Sequence, residues 1–209
     1  MFLHILKASK DRCFRARFSL ALRLELSFIE ELSLTKWLYS HMVIHVVMKA
    51  AQFTSKPAVI TTPNHTEIQI ERSFDAPREA VFRAYTDPKL LIHWMGPRKY
   101  KMTIEQMDVR PGGQWHFTHI DTDGTKYGFY GEFLEIVRPE RIVQTWNFEG
   151  MPGESYQTAL FEEHNGRTTV KSIVKFENKE HRDGMLASNM ESGLNEGYDR
   201  LDELLRTTH

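Results

Sequence analysis

Residues 141–177 read RIVQTWNFEGMPGESYQTALFEEHNGRTTVKSIVKFE. Ile142, Gln144, Trp146 and Phe148 alternate with Val143, Thr145, Asn147 and Glu149. Further on, Val170, Ser172, Val174 and Phe176 alternate with Thr169, Lys171, Ile173 and Lys175. A period of two marks strands with one face turned inward. Runs at 141–149, 155–163 and 167–177 are separated by Gly150-Met151-Pro152-Gly153 and by Asn165-Gly166. Asn-Gly between strand-like runs is a strong two-residue hairpin signal. Connections this short join antiparallel neighbours.

Upstream, three more strand-like runs fall at about 100–109, 114–120 and 127–137. Pro111-Gly112-Gly113, Asp123-Gly124 and Arg138-Pro139-Glu140 punctuate them. Trp115 and Phe117 oppose His116 and Thr118, and Gly131 interrupts the third run as a bulge or bend. A first strand covers Ile68 and Ile70. Asp75-Ala76-Pro77 opens a helix with Pro77 at its first position. That helix stops before Thr86-Asp87-Pro88, which opens a second short helix ending at His93-Trp94-Met95-Gly96-Pro97. Downstream, Leu186, Met190, Leu194, Tyr198, Leu201 and Leu205 form one stripe of a helix over roughly 180–207. Gly193 and Gly197, one turn apart, mark a close approach. The reading is an α+β chain: a curled antiparallel sheet of about seven strands wrapped around a long C-terminal helix. One helix does not fill such a concavity evenly, so an apolar pocket remains between them.

Composition agrees with a globular domain. The 209 residues are 41% hydrophobic and 26% charged, with a net charge of −1. That balance argues against a nucleic-acid binder, whose domain is ordinarily basic. The single cysteine, Cys13, leaves no intrachain disulfide and no cysteine-based zinc site. No run reaches the roughly 18 apolar residues of a membrane span. Together these predict a cytoplasmic protein without metal or cofactor.

Residues 1–47 carry seven Lys/Arg against four Asp/Glu, leaving 20 against 24 for the remainder. The segment reads either as upstream sequence before a start at Met48, or a disordered extension, or as a basic targeting or membrane-surface segment. His41 and His45 have helical metal spacing but lack the glutamate of a zinc motif. Residues 48–65, with Pro57 and Pro63, read as a linker, and 66–207 as the domain.

The stretches Glu71–Phe82, Thr86-Asp87-Pro88, Trp94–Pro97, Asp108–Gly113, Gly131–Ile136, Pro139–Val143, Thr145-Trp146 and Gly193–Leu201 occur in an order that resembles one family. The chain is similar to homologues of the activator of the ninety-kilodalton heat-shock chaperone's ATPase, within the START-like (SRPBCC) superfamily. The resemblance covers about residues 66–207 and implies the helix-grip fold. It further implies a small hydrophobic or amphipathic ligand, or a chaperone partner and a stress-response role, or a cyclase- or hydrolase-type reaction in the same cavity. The activator pairs this domain with a separate N-terminal one, which residues 1–65 are too short to replace.

No nucleophile elbow, Walker loop or dinucleotide fingerprint is present, and no catalytic residue is assigned. His116 and His119 are the best acid–base candidates, but their spacing in a strand sends them to opposite faces. Asp108, Glu132 and Glu135 sit on strands without a sequence-legible pairing. For ligand binding, Trp94, Trp115, Phe117, Tyr130, Trp146, Phe148 and Tyr156 lie in or beside the sheet, where aromatics build both cores and pockets. By family analogy Trp94 and Met95 form a gate, and Met is suited to irregular apolar surfaces. Met185, Asn189, Met190, Gly193 and Tyr198 would line the opposite wall.

Overall fold

A computed structural model describes residues 56–150 and 153–207. The expectations for residues 1–47 and 48–55, including Cys13, His41 and His45, lie outside the described residues. The element order is β1 (Val59–Thr61), β2 (Glu67–Phe74), α1 (Arg78–Thr86), α2 (Pro88–Trp94), β3 (Lys101–Met107), β4 (Gln114–Ile120), β5 (Lys126–Val137), β6 (Arg141–Phe148), β7 (Ser155–His164), β8 (Arg167–Phe176), α3 (Lys179–Ala187) and α4 (Met190–Thr207).

The strands form one sheet in the order β1-β2-β8-β7-β6-β5-β4-β3. Every neighbouring pair is antiparallel. The Asn165-Gly166 hairpin forms as expected, with both residues at positive φ (53° and 75°) and His164 opposite Arg167. The sheet has eight strands rather than seven, because β1 lies in the stretch read as linker. It is only three residues long and pairs with β2 through Ile60 opposite Ile70. So short an edge strand between prolines has no legible alternation.

Local chemistry sets the helix starts. The Asp87 side chain accepts from Lys89 N at 3.0 Å and Pro88 opens α2. Pro77 is the cap residue of α1 rather than its first helical position. The C-terminal stripe, read as one helix, is two. Ser188 and Asn189 separate α3 from α4, and Asn189 takes φ +60°, a conformation that Asn tolerates better than most residues. Gly131 is not itself the bulge, which falls between Phe133 and Glu135. A Cβ on Gly131 would lie 2.2 Å from the Thr145 carbonyl oxygen and 2.6 Å from the Trp115 ring, so the glycine is there for close approach.

α4 buries Gly197, Tyr198, Leu201 and Leu205. Phe74, Phe82, Phe161, Ile68 and Leu201 are almost wholly enclosed. Phe82 and Tyr85 of α1 meet the Phe161 ring edge-on at 5.3 and 5.1 Å, closing one end of the concavity with side chains. Arg72 reaches from β2 to α4, with its Nη2 2.8 Å from Asp199 Oδ1 and 2.7 Å from Asp202 Oδ2.

Candidate functional site: an apolar cavity under the sheet

The other end of the concavity is not filled. It holds a cavity of about 190 Å³. Ile68 of β2 and Ile104 of β3 both line it, so strands from opposite ends of the sheet curl around one space. Its floor is the inward face of the meander: Trp115 and Phe117, Phe133, Ile142 with Gln144 and Trp146, Gln157 with Ala159, and Val174 with Phe176. Helices cover it with Tyr85, Leu91, Trp94, Met185, Met190, Leu194 and Tyr198.

Among the described residues, no Asp, Glu, Lys, Arg or His lies in this wall. Its polar groups are the hydroxyls of Tyr85 and Tyr198, the amides of Gln106, Gln144 and Gln157, and indole N–H groups. Gln144 Nε2 donates to Gln157 Oε1 at 2.8 Å across β6 and β7. Trp94 Nε1 donates to the Ala84 carbonyl at 2.9 Å. Tyr85 Oη and Trp115 Nε1 are buried with no hydrogen-bond partner among the described residues. Burial holds the Tyr85 hydroxyl well above the ordinary phenol range, with the Tyr198 hydroxyl adding to the effect. Burial raises Tyr198 too, against the opposing influence of Tyr85, Ser172 and Arg72. Both phenols are therefore neutral at physiological pH.

The Trp94–Pro97 loop lies against α4. Arg200 Nη1 donates to the Gly96 carbonyl at 2.8 Å, and Glu196 Oε1 accepts from Arg98 N at 2.9 Å. A Cβ on Gly197 would stand 3.2 Å from both Gly96 N and the Trp94 carbonyl oxygen. One on Gly193 would stand 3.2 Å from Pro97 Cγ. The close approach expected of these two glycines is thus to the loop.

Of the residues singled out from sequence, Trp94, Met95, Trp115, Phe117, Trp146, Met185, Met190 and Tyr198 meet around the cavity. Tyr130 and Tyr156 do not; they stand on the outer face, 47% and 45% exposed. Phe148 lies in a neighbouring cleft of about 20 Å³ with Gly153 and His181. Asn189 is exposed in the α3–α4 turn, and Gly193 faces Pro97. Tyr85, Gln144 and Gln157 line the cavity without having been singled out. A glutamine on the inward side of the Ile142–Phe148 alternation was the signal available.

His116 and His119 do face opposite ways. His116 Nε2 lies 3.1 Å from Glu149 Oε1 on the outer face, in a groove with Glu132, Asn147 and Glu154. His119 is buried beneath Gly96, outside the cavity wall. Asp108 is paired with Arg110 at 2.8 Å and Glu135 with Arg141 at 2.5 Å. Among the described residues, no group of three or more His, Cys, Asp or Glu is placed to hold a metal ion. No helix among them is long and apolar enough to cross a membrane.

The sequence profile of the family described as Activator of Hsp90 ATPase homolog 1-like protein matches residues 75–206. A relative from Schizosaccharomyces pombe, described as uncharacterized, is 28% identical over 114 residues, covering 54% of this chain. The match spans only 30% of that relative's length. The fold is similar to a crystal structure of a Rhodobacter sphaeroides protein, with a TM-score of 0.69 and 26% identity over 73% of this chain and 99% of that one. A Mycobacterium smegmatis crystal structure gives a TM-score of 0.65 and 25% identity over 73% of this chain and 100% of that one.

Proposed function

Since the chain belongs to the Activator of Hsp90 ATPase homolog 1-like family, with the helix-grip fold of the START-like superfamily, we propose that it binds a small, predominantly apolar molecule between sheet and helices. The observation that carries this reading is a cavity of about 190 Å³ whose wall, among the described residues, holds no charged side chain. A dry apolar cavity of roughly 150 Å³ takes up benzene, which sets the ligand's scale at one ring with a short substituent. Such a ligand buries about 150–250 Å². At ~25 cal/mol per Å² the gain is roughly 4–6 kcal/mol, a Kd between about 1 mM and some tens of micromolar before any polar contact.

Ala159→Trp tests the reading. Ala159 is 4% exposed in the cavity floor, and an indole there occupies the ligand's space. Native mass spectrometry of the full chain with acetophenone should show a bound mass that this variant lacks, while its far-UV circular dichroism stays native. A folded variant that still binds acetophenone as the parent does would overturn the assignment.

A second reading, regulation of a heat-shock chaperone, is supported by the family description and by the outer face. There Tyr130, Leu134 and Tyr156 are all more than 40% exposed, Tyr130 in a groove with Glu132, Glu149 and Glu154. It is tested by whether the purified chain changes a chaperone's ATPase rate. Acid–base catalysis in the cavity has less support, because the described residues of its wall include neither histidine nor carboxylate.

A further inference from the structure

One rung of the sheet breaks the apolar floor of the cavity. Gln144 of β6 stands directly opposite Gln157 of β7, and Gln144 Nε2 donates to Gln157 Oε1 at 2.8 Å. The next inward rung is Ile142 opposite Ala159, and Trp146 follows Gln144 on the same side of β6; all three line the cavity. A single bond between two carboxamides uses one N–H and one lone pair. It leaves the Gln144 carbonyl oxygen and the Gln157 NH2 group with no hydrogen-bond partner among the described residues. Neither group is sealed inside the protein. Both residues are half-buried, and neither belongs to the side chains with a polar atom enclosed and unpartnered. This side of β6 and β7 faces the helices, so the surface the two amides keep opens on the cavity. Turning both amides over together leaves the same pair, one acceptor beside one donor. Gln106, the third amide of the wall, is exposed at the rim and lines the outer groove as well.

An acceptor beside a donor discriminates among ligands. A carboxylate meets the Gln157 N–H groups but is repelled by the Gln144 oxygen, and an ammonium group suffers the reverse. No counter-ion stands in the wall among the described residues, so either ion leaves water without compensation. A hydrocarbon strips water from both amide groups and returns no bond to either. A neutral group with a donor and an acceptor on one edge, as in a primary carboxamide or a lactam, answers both.

Resting on the ligand-binding reading above, we infer that Gln144 and Gln157 form a recognition pair for the N–H and C=O edge of a neutral amide, so that the ligand is an uncharged carboxamide or lactam with an apolar body. Replacing both members together keeps the shape of the floor and orphans neither partner. Gln144→Met/Gln157→Met therefore removes the pair with little effect on folding.

Four probes of matched size separate the cases: benzamide, acetophenone, benzoate and cumene, titrated into the full chain by calorimetry and by ligand-observed NMR. The double substitution should weaken benzamide by about 10–100-fold, the worth of two net hydrogen bonds. It should weaken acetophenone, which offers an acceptor alone, by roughly 3–10-fold, and leave cumene bound as tightly or more so. Benzoate should bind the parent at least about 10-fold more weakly than benzamide. In the parent, the assigned side-chain NH2 protons of Gln157 should move downfield as benzamide is added, a readout that depends on no variant folding. Parent-like benzamide affinity in the double variant, or NH2 protons unmoved at saturating benzamide, would overturn the pair; binding of acetophenone or cumene then leaves the cavity reading standing. Benzoate binding tighter than benzamide would overturn the selection for a neutral ligand. Failure of all four probes to bind the parent would overturn the cavity reading itself, and the pair with it.

Discussion

His119 shares the inward side of β4 with Trp115 and Phe117, and its ring occupies the space a side chain on Gly96 would need. Burial pushes its pKa down to about 4, helped by the nearby Arg200 guanidinium and opposed by the Met95 carbonyl. The folded state therefore holds this imidazole neutral where the unfolded chain, titrating near 6.5, takes up a proton. Stability from this residue is full above pH 6.5, falls as the pH drops toward 4, and changes no further below that. Between pH 7 and pH 5 the loss is about 2 kcal/mol. Urea unfolding at the two pH values should show it in the parent, and His119→Gln should lose correspondingly less. An equal loss in both proteins would remove His119 as the cause. The strand period alone already placed His116 and His119 on opposite faces. Their partners were not legible, because Glu149 and Arg200 reach them from 33 and 81 positions along the chain, across register and helix docking that alternation does not encode.

At the scale of elements, α4 and the Trp94–Pro97 loop are fitted by absence of side chains. The two interior glycines of α4 are not equivalent. A methyl at 193 meets one mobile proline ring, whereas at 197 it meets two backbone atoms that have nowhere to go. Gly193→Ala should be neutral to stabilising by up to ~1 kcal/mol, the helix-propensity gain. Gly197→Val should destabilise by about 1–3 kcal/mol through overpacking. Thermal melts of the two variants check this, and the reverse ranking would show the loop docked elsewhere. The glycines were legible as a close approach, but not what approaches. The α3–α4 break was hidden for a different reason. Leu186, Met190 and Leu194 keep a spacing of four straight through Ser188 and Asn189, so the apolar stripe passes over the interruption. Only the positive φ of Asn189 reveals it.

For the whole molecule, the antiparallel meander, its hairpins and a space beneath the closing helix were legible, but the place of β2 beside β8 was not. The pocket's chemistry followed only in part. Eight of the aromatic and methionine positions singled out lie around the cavity. The polar members do not follow from periodicity, since Tyr85 reads as one more apolar position of α1 and Gln157 sits in a run of β7 with no clean alternation. Occupancy of the cavity should register in global stability. A ligand at about 100 times its Kd adds roughly 2.7 kcal/mol to the folded state. For a domain of this size that raises Tm by about 5–10 °C. Differential scanning calorimetry with acetophenone should show the rise in the parent and none in Ala159→Trp; no rise in the parent would count against occupancy. The ion pairs of Arg72 carry a further consequence, one of mechanics. They join the first long strand to the last helix across a separation of 130 residues, and Asn195 Oδ1 accepts from Ala58 N at 2.8 Å nearby. A pull on α4 is carried to β2 through Asp199 and Asp202. The two pairs clasp the closing helix to the first long strand of the sheet, so load on either is shared with the other.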